Sequence, residues 1–107
     1  MNLTVIHPSS RAVHRASQLR QLAHRAADAL HQRWPTTDVA LFGSVARGAA
    51  HERSDIDLLI TGLPVADVMS AWVVASDAAG TESLDLIRWE DCPDHLRQAM
   101  SDDLVRL

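Results

Sequence analysis

The chain has 107 residues, 47% of them hydrophobic, and a formal net charge of −4, as expected of one globular domain with a single core. No apolar run approaches the roughly 20 residues of a membrane span, and the amino terminus lacks a signal-peptide pattern, so no membrane association is expected. The lone Cys92 excludes an internal disulfide and a cysteine-based zinc site, which fits a protein of the reducing cytoplasm.

Residues 10–33 are predicted to form an amphipathic helix, because apolar residues recur at helical spacing from Val13 to Leu30. Ser9 or Ser10 is the expected N-cap, and Pro35 ends the helix. The remaining elements are expected, in chain order, as a strand over 38–42, a strand over 55–60, a helix over 65–79 that Gly80 ends, a strand over 83–88 and a helix over 94–105.

This order, α-β-β-α-β-α, predicts an α/β or α+β layer architecture. We expect residues 1–107 to form one domain, with a helical segment in 1–34 and a motif-bearing core in 38–107.

A tight turn is predicted directly after the first strand, in the stretch FGSVARG that begins at Phe42. Ser44 can cap a single helical turn that follows Gly43, and Gly48 can close it with a positive φ. Free backbone N–H groups and the Ser44 hydroxyl would then lie together. Such a position favours phosphate.

Asp55 and Asp57 are expected on the same face of the second strand, about 6–7 Å apart, because strand side chains alternate faces. Two neighbouring carboxylates repel each other, and a divalent cation between them relieves the repulsion. Oxygen-only ligation near phosphate suits Mg²⁺, and two such ions about 3.5–4 Å apart form the clamp used in nucleotidyl transfer. The apolar residues expected to face the core are Ile56, Leu58 and Ile60.

Asp85 is a third candidate, since it lies between Leu84 and Leu86 in a predicted strand. A charge in such surroundings is costly unless it is paired or metal-bound. If the third strand lies beside the second, Asp85 can join the same cluster and deprotonate an attacking hydroxyl. The alternative is an edge-strand residue that faces water.

The set Gly43-Ser44, ten residues, Asp55-x-Asp57 and a later Asp85 resembles the minimal nucleotidyltransferases (MNT) of the DNA polymerase β superfamily. The stretch LFGSVARGAAHERSDIDLLI also resembles MNT antitoxins, which are encoded beside HEPN toxins. The resemblance covers roughly residues 38–107. It implies a small mixed β-sheet with helices packed against it.

The resemblance also implies a role for each matching position. Asp85 would bind the catalytic metal and activate the acceptor. The residues implied to bind the nucleoside triphosphate are Gly43, Ser44 and Arg47, of which Arg47 could instead reach the acceptor protein. Those implied to bind two Mg²⁺ ions are Asp55, Asp57 and Asp85.

The implied function is an antitoxin that transfers AMP from ATP to a tyrosine of a cognate HEPN RNase toxin, with which it forms a hetero-oligomer. One alternative is an antitoxin that acts by binding alone, through the basic first helix and exposed tryptophans. Another is nucleotidyl transfer to an RNA end or a small molecule. Nucleic acid is not an expected partner, because the net charge is negative and no aromatic-rich basic surface is present.

Overall fold

Two long helices pack together on one face of a four-stranded sheet in the computed structural model, which describes residues 10–48, 50 and 54–107. The predicted cap at Ser9 lies outside these residues. The elements are α1 (Ser10–Arg33), β1 (Asp38–Phe42), α2 (Gly43–Ala46), β2 (Ile56–Thr61), α3 (Val68–Ala79), β3 (Leu84–Arg88), α4 (Asp94–Ser101) and β4 (Val105–Arg106), with 3₁₀ turns at Val65–Asp67 and Trp89–Asp91.

The sheet is mixed, with the strand order β3-β2-β1-β4. Strand β1 runs antiparallel to both β2 and β4, whereas β2 and β3 are parallel. The expected α+β architecture is therefore confirmed. The helix ending at Gly80 is confirmed as well, because this glycine adopts a left-handed conformation with φ 72°.

The end of the chain differs from the prediction of a helix over 94–105. Helix α4 ends at Ser101, and Val105 and Arg106 form a short strand that pairs with β1. The main-chain N–H of Leu107 continues this pairing by donating to the Val39 carbonyl at 2.9 Å. Pairing with the exposed edge of β1 outweighs the local helical pattern, as tertiary context often does.

The core lies between the sheet and the helices α1 and α3. Small alanines on both helices allow close approach, while leucines and isoleucines fill the remaining space; each such large side chain stabilises the fold by about 1.5–3 kcal/mol when fully buried. None of the helices in the described residues has the length and apolar character to cross a membrane. The core side chains of α1 are Ala16, Leu19, Ala23, Ala26, Ala27 and Leu30, and those of α3 are Ala71, Ala75 and Ala79.

The strand residues that were expected in the core are fully buried there: Ile56, Leu58 and Ile60 are each 0% exposed. They alternate with Asp57 along β2, so the Asp57 side chain lies on the sheet face opposite to α1 and α3.

Trp72 ties α3 to β3, because its indole Nε1 donates a hydrogen bond to the Leu84 carbonyl at 2.7 Å. We expect Trp72→Phe to lower the free energy of unfolding by about 1–2 kcal/mol, since this partly buried carbonyl loses its donor. Trp89→Phe is the matched control, because its indole N–H donates no hydrogen bond among residues 10–48, 50 and 54–107. Urea unfolding measures both variants, and equal losses would contradict the prediction.

Candidate active site

The turn after β1 forms as expected, but Ser44 does not cap it. Helix α2 begins at Gly43, its N-cap is the extended residue Phe42, and no side chain caps it. The Ser44 hydroxyl instead donates to Oγ of Ser54 at 3.3 Å. Gly48 closes the turn with φ 76°, as predicted. The turn is therefore fixed to the start of β2 by a side-chain hydrogen bond.

The Gly43 backbone lies directly against the carboxylate of Asp57. The antiparallel register pairs Phe42 with Asp57, and this brings the next residue, Gly43, beside the Asp57 side chain. A Cβ added to Gly43 would lie only 2.5 Å from Asp57 Oδ2, and the φ of +79° is unfavourable for any other residue. The backbone therefore favours glycine here, and any Cβ would also force the Asp57 side chain to move.

The three predicted carboxylates lie at the end of the sheet where β2 and β3 begin. Asp57 and Asp85 are direct partners in the parallel β2–β3 register, as expected if the two strands are neighbours. Asp55 lies one residue before β2, which begins at Ile56 rather than at 55. Asp55 and Asp85 are exposed, whereas Asp57 is half-buried. Asp85 is on an edge strand, so the pairing with Asp57, and not its burial, supports a role in the site.

Negative charge is concentrated around Asp57. Burial, followed by the charges of Asp85 and Asp55, raises the pKa of Asp57 from 3.8 to about 6, against a smaller opposing effect of Arg47. A cation bound beside Asp57 would remove this repulsion.

The donor chemistry of these carboxylates fits Mg²⁺, which prefers oxygen ligands. Within the described parts of the chain, however, no group of three or more His, Cys, Asp or Glu side chains is placed to hold a metal ion. Asp55 and Asp85 are exposed and have room to change rotamer. Metal binding would require these two side chains to turn toward Asp57.

Arg47 lies near the carboxylates but pairs with another residue. Its Nη1 is 3.3 Å from Asp103 Oδ2, and the two side chains are 54% and 36% exposed. Ion pairs of this kind contribute little to stability, so Arg47 can exchange Asp103 for another anion at low cost.

Three residues that contact the site were not predicted from the sequence. Ser54, which is buried, directly precedes Asp55, and this position next to the motif was an available signal. Asp103 and Arg20 carry no local signal, because they reach the turn only through the fold.

We expect Asp57→Asn to stabilise the chain above pH 6 and to change its stability little below pH 3.8. The folded state keeps the Asp57 proton to a higher pH than the unfolded state, so wild-type stability falls as the pH rises from 3.8 through about 6. Since Asp57 is partly exposed, the gain should be about 1–2 kcal/mol. Urea unfolding across this range in chelator-containing buffer measures it. Asp28→Asn, on the exposed face of α1, is the control, and a matching pH profile for both variants would refute the prediction.

Gly43→Ala should destabilise the chain more than Gly80→Ala. Both glycines have a positive φ, 79° and 72°, but a Cβ at Gly80 meets nothing within 4 Å. The backbone cost of about 1 kcal/mol is therefore shared, and the contact with Asp57 adds about 1–3 kcal/mol at Gly43 alone. Thermal unfolding of the two variants gives the difference directly. Equal losses would show that the Asp57 side chain moves away freely.

The nucleotidyltransferase domain family matches residues 24–102 of this sequence. One solved structure, of a candidate minimal nucleotidyltransferase, has a TM-score of 0.68 at 28% identity, over 83% of this chain and 95% of that chain. No curated protein matches the sequence.

Two toxin–antitoxin structures have the same fold. A chain of the complex between a tri-AMPylated HEPN toxin of Shewanella oneidensis and an MNT antitoxin gives a TM-score of 0.61 at 16% identity, over 82% of this chain and 70% of that chain. A toxin–antitoxin structure with AMP-PNP gives 0.61 at 20% identity, over 85% and 70%. The family match spans well over half of the chain and includes the Gly43 turn and all three carboxylates, so the chain belongs to the nucleotidyltransferase domain family.

Proposed function

We propose that this protein is a Mg²⁺-dependent nucleotidyltransferase that acts as an antitoxin by transferring AMP from ATP to a tyrosine of a cognate HEPN toxin. The observation that carries the proposal is the position of Asp57, which lies against the Gly43 turn on one side and opposite Asp85 on the other. The turn that we propose to bind phosphate therefore lies beside a carboxylate pair.

The nucleotide would bind between the turn and the carboxylates. Gly43 and Ser44 would hold the β- and γ-phosphates, since Gly43 allows close approach of the backbone. Asp55, Asp57 and Asp85 would hold Mg²⁺, which when bound neutralises negative charge on the transferring phosphoryl group. Release of Arg47 from Asp103 would provide a further cation for the phosphates.

In the proposed transfer, the acceptor oxygen forms a bond to the α-phosphorus of ATP. The bond from that phosphorus to the bridging oxygen breaks, and pyrophosphate leaves. The acceptor proton passes to Asp85, whose exposure makes it accessible to a hydroxyl from outside the chain. The sequence contains no tyrosine, so a tyrosine acceptor must belong to another molecule.

The toxin partner is supported by the fold that this chain shares with the two toxin–antitoxin structures. One of those contains an AMPylated HEPN toxin and the other contains AMP-PNP, which makes ATP the first nucleotide to test. A partner that carries the acceptor also agrees with the exposed position of Asp55 and Asp85.

Neutralisation by binding alone has less support from the structure than from the sequence. The sequence supported it by the basic first helix and by exposed tryptophans, but all three tryptophans are half-buried, and two of them donate hydrogen bonds within the chain. Trp34 Nε1 donates to Asp67 at 3.2 Å, and Trp72 Nε1 donates to the Leu84 carbonyl. These side chains hold the fold together.

The test begins with a search of the neighbouring reading frames for a HEPN protein, which is then incubated with this chain, ATP and Mg²⁺. We expect the HEPN protein to gain the mass of one or more AMP groups, detected by intact-mass spectrometry. Asp57→Asn should slow the gain roughly 100-fold or more, the typical effect of removing a preorganised charged group. Asp28→Asn should leave the rate unchanged.

The same variants separate the alternatives. If Asp57→Asn remains folded, still binds the toxin and still protects cells, neutralisation by binding alone replaces the proposal. If labelled AMP from ATP appears on RNA ends or on an aminoglycoside, and not on the HEPN protein, the acceptor is different while the nucleotidyl transfer stands.

A further inference from the structure

Arg20 of α1 contacts the end of the turn that lies farther along the chain from Gly43. Its Nε donates to the Val45 carbonyl at 3.1 Å, and its Nη2 donates to the Ala46 carbonyl at 2.6 Å. The side chain is half-buried, and 25 residues separate it from Val45. These hydrogen bonds connect the longest α-helix of the described residues to the shortest one.

The turn needs such a partner, because α2 is only one turn long. The last four carbonyls of any helix have no donor within the helix. In α2 the Val45 carbonyl accepts from the Gly48 amide and from Arg20, and the Ala46 carbonyl accepts from Arg20. A guanidinium group supplies two donors in a fixed fork, together with a positive charge at the negative end of the helix. Arg20 also lies close to Gly48, because its Nη2 is 3.8 Å from the place of a Cβ there, an ordinary van der Waals distance.

We propose that Arg20 is a positioning residue for nucleotide binding: it fixes the Gly43–Ala46 turn against α1, so that Gly43 and Ser44 are held beside Asp57. This inference rests on the proposed function, because it assigns Arg20 to the same site. Among the described residues, Arg20 forms no hydrogen bond or ion pair with the three carboxylates, Gly43, Ser44 or Arg47, so it would act through the turn.

Three contacts hold the turn in place. Gly43 meets the Asp57 carboxylate, Ser44 donates to Ser54, and Arg20 binds the carbonyls at the far end. Two of these contacts lead to β2, so Arg20 supplies the tie to the helix layer. Without that tie, the turn can tilt about its contacts with β2, which displaces Gly43 and Ser44 relative to Asp57. Loss of residues that orient a binding group typically costs 10–100-fold in affinity or activity.

Arg20→Gln and Arg20→Lys test the inference, with Arg25→Gln as the matched control on the exposed face of the same helix. Lysine keeps the charge but replaces the fork by a single ammonium group. We expect both Arg20 variants to bind ATP with Mg²⁺ roughly 10-fold or more weakly than the wild type in calorimetry. Arg25→Gln should bind ATP as the wild type does.

Hydrogen exchange supplies a readout that needs no ligand. The amides of Arg47 and Gly48 donate to the carbonyls of Gly43 and Val45, each at 3.1 Å. Both amides should exchange faster in the Arg20 variants, while the core of β2 keeps its protection. Faster exchange together with weaker ATP binding supports the inference.

Three outcomes would decide against it in different ways. If both Arg20 variants bind ATP like Arg25→Gln, the inference is wrong even if they are less stable. If exchange at Arg47 and Gly48 is unchanged, Arg20 does not order the turn. A wild-type chain that binds no ATP would instead overturn the proposed function, and with it the nucleotide role of Arg20, while the exchange data still test the ordering of the turn.

Discussion

The close approach of the Gly43 backbone to the Asp57 carboxylate is the contact on which the candidate site depends. It requires the antiparallel register that pairs Phe42 with Asp57, and it requires a residue without a side chain at a φ of +79°. The parallel register of β2 and β3 then adds Asp85 beside Asp57. Strand β2 thus connects the turn to Asp85, because β1 lies on one side of it and β3 on the other.

This arrangement has a cost in stability that the core offsets. The pKa of Asp57 is raised first by burial and then by the charges of Asp85 and Asp55, so ionising this carboxyl at neutral pH costs the folded chain stability. The buried Ile56 and Leu58 on either side of Asp57 fix the strand, because each contributes about 1.5–3 kcal/mol of apolar burial. A cation or a positively charged partner group would recover the electrostatic part of this cost, which is a common compromise at functional sites.

Most of the fold could be predicted because its elements have clear local patterns. The helical period predicted α1 with the bounds 10–33, which the structure also gives. The alternation along β2 correctly placed Asp57 outside the core. The two-residue strand β4 has no period of its own and forms only by pairing with β1. The Ser44 hydroxyl and Arg20 find their partners through tertiary proximity, Ser54 and the carbonyls of α2, which local spacing does not encode.

The openness of the carboxylate edge bears on what the acceptor can be. Small-molecule substrates usually bind in concave, mostly enclosed pockets. A cavity of about 240 Å³ lies at the other end of β1 and β2, lined in part by Asp38, Thr61 and Trp89, and it does not include the three carboxylates. Asp55 and Asp85 instead face solvent. Among the described residues these carboxylates lie open to solvent, so a protein acceptor of the kind proposed would cover them with its own surface.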